Sequence, residues 1–331
     1  FIISLTSSQG QFYFIRMKNQ SMEIEFMLVG ISSLPELQLF LLVSFLCIYV
    51  TALVGNSLIF FTICASQQLH TPMYFFLGNL SVIDVLCTST IMPKMLANLY
   101  FQRADISFLG CMAQMYLFTW ALVSEVLLLA LMAFDRYVAI CHPLHYSMVM
   151  RSHVCIGMAG SIWAIGICNS AVHTSLAIPL SFCSSFIIDH FFCELPPILK
   201  LSCSDTSLNE ALAFCADVIF GVGSCSLILV SYGCIIRTIL KIRSSEGKKK
   251  AFSTCSSHLT VVSFYYSTVI YTYIRPTSNL SLGRDKVITA LYSVIIPMLN
   301  PMIYSFRNRE VKGALRRLLG WTLFFPLGRT L

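Results

Sequence analysis

Residues Met132–Tyr146 read Met-Ala-Phe-Asp-Arg-Tyr-Val-Ala-Ile-Cys-His-Pro-Leu-His-Tyr, and they follow a membrane-length apolar stretch, Met112–Leu131, in which Glu125 is the one acid. Asp135 and Arg136 therefore fall where a spanning helix meets water. Because the two are adjacent, they can form a local ion pair, and an arginine at a helix end costs little free energy while it is paired or reaches water. The pair is either a plain helix-end anchor or a switch that exposes the guanidinium when it breaks.

The composition extends this membrane character to the whole chain. Of its 331 residues, 56% are apolar and 11% are charged, and the mean hydropathy is +0.76. A soluble domain is not expected with so few charged residues. The length suffices for several spans of about 20 residues each with short connections. We therefore predict an integral membrane protein.

Seven apolar stretches are long enough to cross a bilayer. The sixth is the least apolar because it begins with the polar turn Ser253–His258, and an amphipathic soluble helix is the alternative there. Apolar and basic residues alternate beyond the seventh, which is typical of a helix lying on a leaflet. We predict an all-α membrane protein with a tail over 1–38, a seven-transmembrane helix bundle over 39–306, and a short amphipathic helix and tail over 307–331. The predicted spans are about 39–64, 73–96, 110–136, 155–180, 211–240, 252–274 and 287–306.

The placement of charge predicts the orientation of these spans. Most of the 22 lysines and arginines map to one side, where Asp135, Glu246 and Glu310 are the only acids. Basic residues are enriched on the cytoplasmic side of membrane proteins. The amino terminus is therefore expected outside and the carboxyl terminus in the cytoplasm. The net charge of +7 indicates a lipid bilayer, and not a nucleic acid, as the partner.

Four of the 14 cysteines fall on the predicted outer side, in an oxidising compartment. They allow three pairings, and free thiols are the alternative. The other cysteines lie in or beside spans or on the inner side, where cysteine behaves as a small buried hydrophobe. The four outer cysteines are Cys111, Cys183, Cys193 and Cys203.

The amino-terminal tail carries a glycosylation sequon. The chain opens on Phe1, and Met17 begins a polar tail, so we expect residues 1–16 to be absent from the natural product. Asn19-Gln20-Ser21 then lies where the sugar-transferring machinery can reach it. The sequon at Asn79 falls inside a span and is not usable. Glycosylation is therefore expected at Asn19.

Several polar side chains fall within the predicted spans. A carboxylate is costly in lipid, so it usually faces the bundle interior with a partner or a proton. Asp84 and Glu125 sit at similar depths on neighbouring spans, where Asn56 and Asn300 can join them. This polar core is either structural hydrogen bonding or a hydrated site, able to hold a cation, whose collapse accompanies switching. Asp217 stands alone and is expected in the outer half of the bundle.

Two prolines interrupt the seventh span. Pro297 and Pro301 lack backbone donors, and Asn300 can bond to the carbonyl groups that they leave free. The result is either a static kink or a hinge.

Six strings of the chain resemble those of olfactory receptors, a branch of the rhodopsin-like G-protein-coupled receptors. The resemblance covers about Met17–Leu319. The sequence departs from the pattern at Tyr266, where the family usually has glycine, and in residues 1–16, which match nothing. The six strings are Leu69–Phe76, Met132–Tyr146, His190–Pro197, Ser231-Tyr232, Lys250–Leu259 and Pro297–Tyr304.

The resemblance implies roles for several of these residues. It implies disulfides from Cys111 to Cys193 and from Cys183 to Cys203. It implies that the Asn-Pro-x-x-Tyr segment of the seventh span is a hinge, and that Tyr304 and Tyr232 repack around Arg136. A lipid-facing anchor is the alternative for Lys250, which the family places at the G-protein contact. The implied switch and coupling residues are Asp135, Arg136, Tyr137, Tyr232, Lys250, Asn300, Pro301 and Tyr304.

The function implied is that of an odorant receptor in the plasma membrane, which binds a small volatile and activates a stimulatory olfactory-type heterotrimeric G protein. A receptor of the same fold for non-odorant metabolites is the alternative, and a transporter is the alternative from another class. An enzyme is not expected, because the chain has no phosphate-binding glycine loop and no zinc-ligand pair. No cofactor or metal is expected. Retinal is disfavoured because the seventh span has no lysine between Lys286 and Arg307 to form a Schiff base.

A ligand site is predicted between the third and sixth spans. Its residues follow one-face helical spacing on each span, about two turns below Cys111 on the third. Ordinary helix packing is the alternative for each of them. The lining is apolar with a few hydroxyls and has no acid on the upper third span, which favours uncharged ligands. The predicted lining is Phe118, Thr119, Leu122, Val123, Tyr265, Thr268, Val269 and Thr272.

Overall fold

The computed structural model describes residues 2–6, 12–16, 25–30, 35–183, 186–274, 282–307 and 309–323. Most of these residues are helical. The helices, in chain order, are α1 (Pro35–Ala65), α2 (Pro72–Phe101), α3 (Phe108–Cys141), α4 (Tyr146–Val149), α5 (Ser152–Ala177), α6 (Leu195–Leu199), α7 (Ser207–Ala216), α8 (Gly223–Lys241), α9 (Ser245–Ile274), α10 (Leu282–Ala290), α11 (Ile296–Arg307) and α12 (Arg309–Leu323).

Two of the spans are joined through wider helical turns. A π-helical turn, Asp217–Val222, connects α7 to α8, and a second, Leu291–Ile295, connects α10 to α11. Because the chain stays helical through both turns, α7 and α8 form the fifth span, and α10 and α11 form the seventh. The first four spans are α1, α2, α3 and α5, and the sixth is α9.

The predicted fold class, an all-α membrane protein with a seven-helix bundle, is confirmed. Six helical segments of the described chain are long and apolar enough to cross a membrane. The sixth span, α9, is not among them because its first turns are polar and basic, yet it packs against α3, α8 and α11 and completes the bundle. The six segments are Leu37–Ala65, Pro72–Phe101, Phe108–Cys141, Ser152–Ala177, Ser207–Lys241 and Lys286–Tyr304.

Most of the helices extend beyond the predicted spans. The sequence analysis started the sixth span at residue 252, whereas α9 begins at Ser245 and includes the basic run before it. Likewise α3 continues past Arg136 to Cys141. Hydropathy marks only the part of a helix that lies in lipid, whereas the backbone hydrogen bonds continue into water until a turn or a cap ends them.

The fold also contains short strands, which were not predicted from the sequence. Strands β1 (Ile2–Thr6) and β2 (Phe12–Arg16) pair with each other as an antiparallel hairpin. Strand β3 (Glu25–Leu28) pairs antiparallel with β4 (Asp105–Ser107) and parallel with β5 (Ile187–Ile188). The three-stranded sheet therefore joins the segment before α1 to the connection after α2 and to the long loop after α5.

Helix α3 lies at the centre of the bundle. It packs against α2, α5, α8 and α9. Its contact with α5 is close at Gly166, where an added Cβ atom would lie 2.5 Å from Ser124 Oγ and 3.1 Å from the backbone oxygen of Trp120. Gly160, on the same helix, has no atom within 4 Å of the equivalent position. The glycine at 166 therefore sets the distance between these two helices.

Helix α12 returns along the bundle after the seventh span. Its residues Val311 and Ala314 are buried, and it packs on α1 and α11. The Tyr74 hydroxyl donates a hydrogen bond to Glu310 Oε2 at 2.7 Å and so ties α12 to α2. The amphipathic helix predicted after the seventh span is thus present.

Replacement of Gly166 tests the close contact of α3 with α5. We expect Gly166→Ala to lower the melting temperature of the purified protein, because overpacking costs about 1–3 kcal/mol. Gly160→Ala is the matched control and should be neutral or slightly stabilising, since alanine favours the helix. Equal melting temperatures for the two variants would contradict the assigned contact.

Candidate functional site

Two disulfides define one end of the bundle, which we call the disulfide end. Cys111 on α3 is bonded to Cys193, and Cys183 is bonded to Cys203, the pairs that the resemblance implies. The backbone N–H of Cys193 donates to Gln114 Oε1 at 2.8 Å. The loop is therefore fastened to α3 by a covalent bond and a hydrogen bond one turn apart.

The loop places two phenylalanines over the predicted ligand site. Phe191 and Phe192 are both fully buried. The ring of Phe192 meets that of Phe118 edge-to-face, with centroids 4.7 Å apart, and the rings of Phe191 and Phe192 are 5.0 Å apart. Phe118 therefore lies directly under the loop, at the depth that the sequence analysis predicted for the site.

The described residues of the predicted lining lie on two helices that pack together, α3 and α9. Val123 and Tyr265 are buried, whereas Thr119, Leu122 and Thr268 are half-buried. The hydroxyl of Thr268 donates to the backbone oxygen of Tyr265 at 2.6 Å, so it makes a hydrogen bond within its own helix. The side chains of Val269 and Thr272 lie outside the described residues.

Tyr266 acts as a link between the fifth and sixth spans. Its hydroxyl shares a hydrogen bond of 2.6 Å with Ser224 Oγ on α8. The ring of Tyr266, which stands where the family usually has glycine, is thereby held against α8.

The loop is also tied to the seventh span, in contacts that the sequence analysis did not predict. Asp189 forms an ion pair of 2.7 Å with Lys286, and the Tyr292 hydroxyl donates to Glu194 Oε1 at 3.2 Å. Burial raises the pKa of Glu194 to about 7, while the bond from Tyr292 opposes that rise. Motif comparison marked Glu194, but nothing in the sequence indicated a partner 98 positions away.

The polar core connects α1, α2, α3 and α11. Asn300 Nδ2 donates to Asp84 Oδ2 at 2.9 Å. Asn56 Nδ2 donates to the backbone oxygen of Pro297 at 3.0 Å. That oxygen is the one left free by the missing N–H of Pro301. The sequence analysis expected Asn300 to bond to this freed carbonyl, and that detail is wrong, since Asn56 makes the bond and Asn300 is turned to Asp84.

Some acceptor atoms of the polar core have no donor. Glu125 is buried on α3 within electrostatic range of Asp84. In the described part of the chain, Asp84 Oδ1, Glu125 Oε1 and Asn300 Oδ1 are buried without a hydrogen-bond partner. Such oxygens accept a proton, a water or a small cation. Within that part, no group of three or more His, Cys, Asp or Glu side chains is arranged to hold a metal ion.

Asp217 does not belong to this interior cluster. It begins the π-helical turn of the fifth span, and its side chain is exposed. It lies within electrostatic range of Glu194 in the long loop and of His173 on α5. Its place near the loop agrees with the expected position in the outer half of the bundle.

The other end of the bundle carries the paired arginine, and we call it the arginine end. Arg136 Nε donates to Asp135 Oδ2 at 2.9 Å, and a guanidinium nitrogen bonds to the same oxygen. The Tyr146 hydroxyl donates to Asp135 Oδ1 at 2.8 Å. Burial and the neighbouring Asp135 carboxylate raise the pKa of Tyr146, so the hydroxyl keeps its proton and remains a donor. Asp135 is fully buried, and both of its oxygens are occupied, one by Arg136 and the other by Tyr146.

The tyrosines implied to repack around Arg136 are buried nearby. The Tyr232 hydroxyl lies 2.7 Å from His258 Nδ1, and His258 Nε2 lies 3.1 Å from the backbone oxygen of Leu129. Because a carbonyl can only accept, Nε2 carries the proton and Nδ1 accepts from Tyr232. His258 lies within the family-like string Lys250–Leu259, but no role was predicted for it from the sequence.

Two further members of the implied switch make no hydrogen bond to Arg136 in the described part of the chain. Tyr304 is buried, and its hydroxyl has no hydrogen-bond partner in the described part of the chain. The Tyr137 hydroxyl shares a hydrogen bond of 3.0 Å with His142 Nε2. The side chain of Lys250 and the sequon residue Asn19 lie outside the described residues.

The fold and these two ends define a receptor of the seven-helix class. The family model described as "Olfactory receptor" matches residues 45–321. The chain is 50% identical over 303 residues to olfactory receptor 13G1 of Homo sapiens, with 92% of this chain and 99% of that protein covered. It is 51% identical over 302 residues to olfactory receptor 13A1 of Homo sapiens, with 91% and 92% covered.

Solved structures show the same fold. The crystal structure of squid rhodopsin superposes with a TM-score of 0.68 at 14% identity and covers 90% of this chain and 89% of that chain. The chain belongs to the olfactory receptor family. The resemblance found in its motifs is thereby confirmed, and so is the prediction of a multi-pass membrane receptor that is not an enzyme.

A double-mutant comparison tests the disulfide between α3 and the loop. Cys111→Ser and Cys193→Ser should each reduce the amount of protein at the cell surface, because the loop loses its covalent attachment. The double variant should be no worse than either single one, since both remove the same bond. Cys168→Ser, at an exposed free cysteine of α5, is the control and should leave the surface level unchanged. Additive losses in the double variant would argue against this pairing.

Proposed function

We propose that the protein is an odorant receptor, which binds a small uncharged volatile molecule between α3, α8 and α9 and activates a stimulatory olfactory-type G protein. One observation carries the proposal. Helix α3 joins Phe118, under the stapled loop, to Arg136, which is buried and paired with Asp135 at the other end. Membership of the olfactory receptor family supports both halves of this arrangement.

The orientation follows from the chemistry of the two ends. Disulfides form in oxidising compartments, so the disulfide end faces the outside of the cell. Basic side chains such as Arg151 and Lys241 lie toward the arginine end, which faces the cytoplasm by the positive-inside rule. The receptor therefore resides in the plasma membrane with its amino terminus outside.

Activation begins with a difference in ligand affinity between two states. A ligand shifts a conformational equilibrium only by as much as it binds one state better than the other. A molecule seated below Phe192 favours the state in which α9 moves at the arginine end. The Tyr232–His258–Leu129 chain ties α8, α9 and α3 there, so it has to rearrange in the same step. Arg136 then leaves Asp135 and turns to the α-subunit of the G protein.

The polar core and the seventh span transmit the conformational change between the disulfide end and the arginine end. Asn56 bonds to the carbonyl freed by Pro301, so the hydrogen-bond break in α11 is compensated by a side chain from α1. Such a bond holds the kink without the rigidity of a helical bond. Tyr304 lies on the far side of that break, and its unpaired hydroxyl finds a partner when α11 moves. The unpaired oxygens near Asp84 take up or release a proton or cation in the same change.

Two other functions are the alternatives to this proposal. A receptor for non-odorant metabolites would have the same geometry and would differ only in its ligands and its tissue. A transporter requires an inverted repeat and helices broken at the midplane. Nucleotide exchange on a co-expressed stimulatory G protein, measured against uptake of the same volatile, separates a receptor from a transporter. Uptake without exchange would contradict the proposal.

Variants at the arginine end test the switch. Asp135→Asn and Tyr146→Phe should raise basal cyclic-AMP signalling, because each weakens the hold on Arg136. Arg136→Ala should abolish coupling at an unchanged surface level. Ser147→Ala, at the exposed neighbour of Tyr146, is the matched control and should leave basal signalling as in the wild type. Normal signalling by Arg136→Ala at equal surface expression would show that the mechanism is wrong.

A cavity-filling variant tests the ligand site. Leu122→Trp should abolish the response to the best agonists in a cyclic-AMP reporter screen, which we expect to be alcohols, aldehydes, ketones or esters. The physical reason is that a bulky ring occupies the space of a small ligand. Leu109→Trp, at a position 77% exposed on the same helix, should respond normally. A screen whose strongest agonists are amines would overturn the predicted ligand class.

A further inference from the structure

A cavity lies at the disulfide end, beside the roof of the predicted odorant site. It has a volume of about 150 Å³ and lies between the upper parts of α1 and α2, the end of β3 and the long loop. Phe45 of α1, Met95 and Leu99 of α2, Leu28 of β3 and Phe191 of the loop form its apolar walls. Among the described residues that line it, none is charged.

The walls of this cavity are fixed by contacts on each side. The N–H of Leu28 donates to the backbone oxygen of Ala104 at 2.8 Å. Lys286 Nζ donates to the backbone oxygen of Gly30 at 3.2 Å and, through its ion pair, holds Asp189 of the loop. The cavity is thus preformed by the sheet and by this lysine. A ligand therefore loses no binding free energy to the ordering of the cavity walls.

The mouth of the cavity is held by a strained residue. Gln102 ends α2 in the left-handed conformation with φ 52°, which is unfavourable for a residue other than glycine. Its side chain donates to Gln38 Oε1 of α1 at 3.0 Å. Strained backbone persists where the surrounding structure requires it, often at binding sites. Here the left-handed conformation of Gln102 brings the ends of α1 and α2 together across the opening of the cavity.

The size of the cavity limits what it can hold. Asn98 and Gln38 add polar groups to its lining. A cavity of about this volume in an apolar protein core accommodates a single benzene ring.

We propose that this cavity is a second small-molecule site, which binds a neutral, ring-sized molecule. The apolar walls exclude ions, and the volume excludes larger ligands. Ring contacts run from Phe191 in its wall through Phe192 to Phe118, so the occupant lies next to the roof of the predicted odorant site. The site itself does not depend on the proposed signalling function.

The test is direct binding of 4-fluorotoluene to the full-length receptor in nanodiscs, followed by fluorine NMR of the probe. The receptor carries Leu122→Trp, which fills the predicted odorant site and removes binding there. We expect saturable binding to this receptor and its loss when Leu99→Trp or Ala104→Leu, which fill the cavity from two different elements, is added. The backbone bond of Ala104 remains in the second variant, and the melting temperatures of both are measured to verify folding. Tyr100→Trp, at the exposed neighbour of Leu99, should leave the binding unchanged.

The proposal is overturned if the Leu122→Trp receptor shows no saturable binding, or if the folded filled variants bind the probe normally. None of these readouts requires signalling, so failure here is distinct from failure of the proposed function.

Discussion

A charged side chain on a membrane-spanning helix has to be paired or turned away from lipid, because its transfer into hydrocarbon is costly. Helix α3 carries Glu125, Asp135 and Arg136, and all three are buried within the bundle. Helices α2, α5, α8 and α9 pack against this helix and cover its charged side chains. The central position of α3 follows from that constraint, and so does its capacity to link the two ends of the molecule.

The two ends meet the constraint differently. At the arginine end, the carboxylate of Asp135 has both oxygens occupied, one by Arg136 and one by Tyr146, so neither charge is left unpaired. At the disulfide end, the loop is fixed to α3 by Cys193, to the seventh span by Glu194 and to the amino-terminal strand through Lys286. The first arrangement is made of non-covalent bonds, whereas the second includes a disulfide, and this difference suits the ligand-operated switch that we propose.

The seven spans and the Asp135–Arg136 pair could be expected from sequence, because apolar length and short motifs are local features. The two disulfide pairs could be expected only from the resemblance to the family, since the sequence alone leaves three pairings open. The contacts that position the spans are not local. Asn56 and Pro297 are 241 positions apart, and Lys286 is 257 positions from Val29. Hydropathy cannot indicate which of several buried amides bonds to a freed carbonyl, and it missed the strand β3 because a four-residue strand has no amphipathic period long enough to recognise.

The central claim is that the Asp135–Arg136 pair holds the arginine end closed. The most direct measurement is the distance between genetically encoded spin labels at His145 and Lys249, both exposed at this end, in receptor reconstituted in lipid. The account predicts one short distance in the ligand-free wild type and a second, longer distance in ligand-free Asp135→Asn and in the wild type with agonist and G protein. Identical distance distributions for the ligand-free wild type and Asp135→Asn would contradict it.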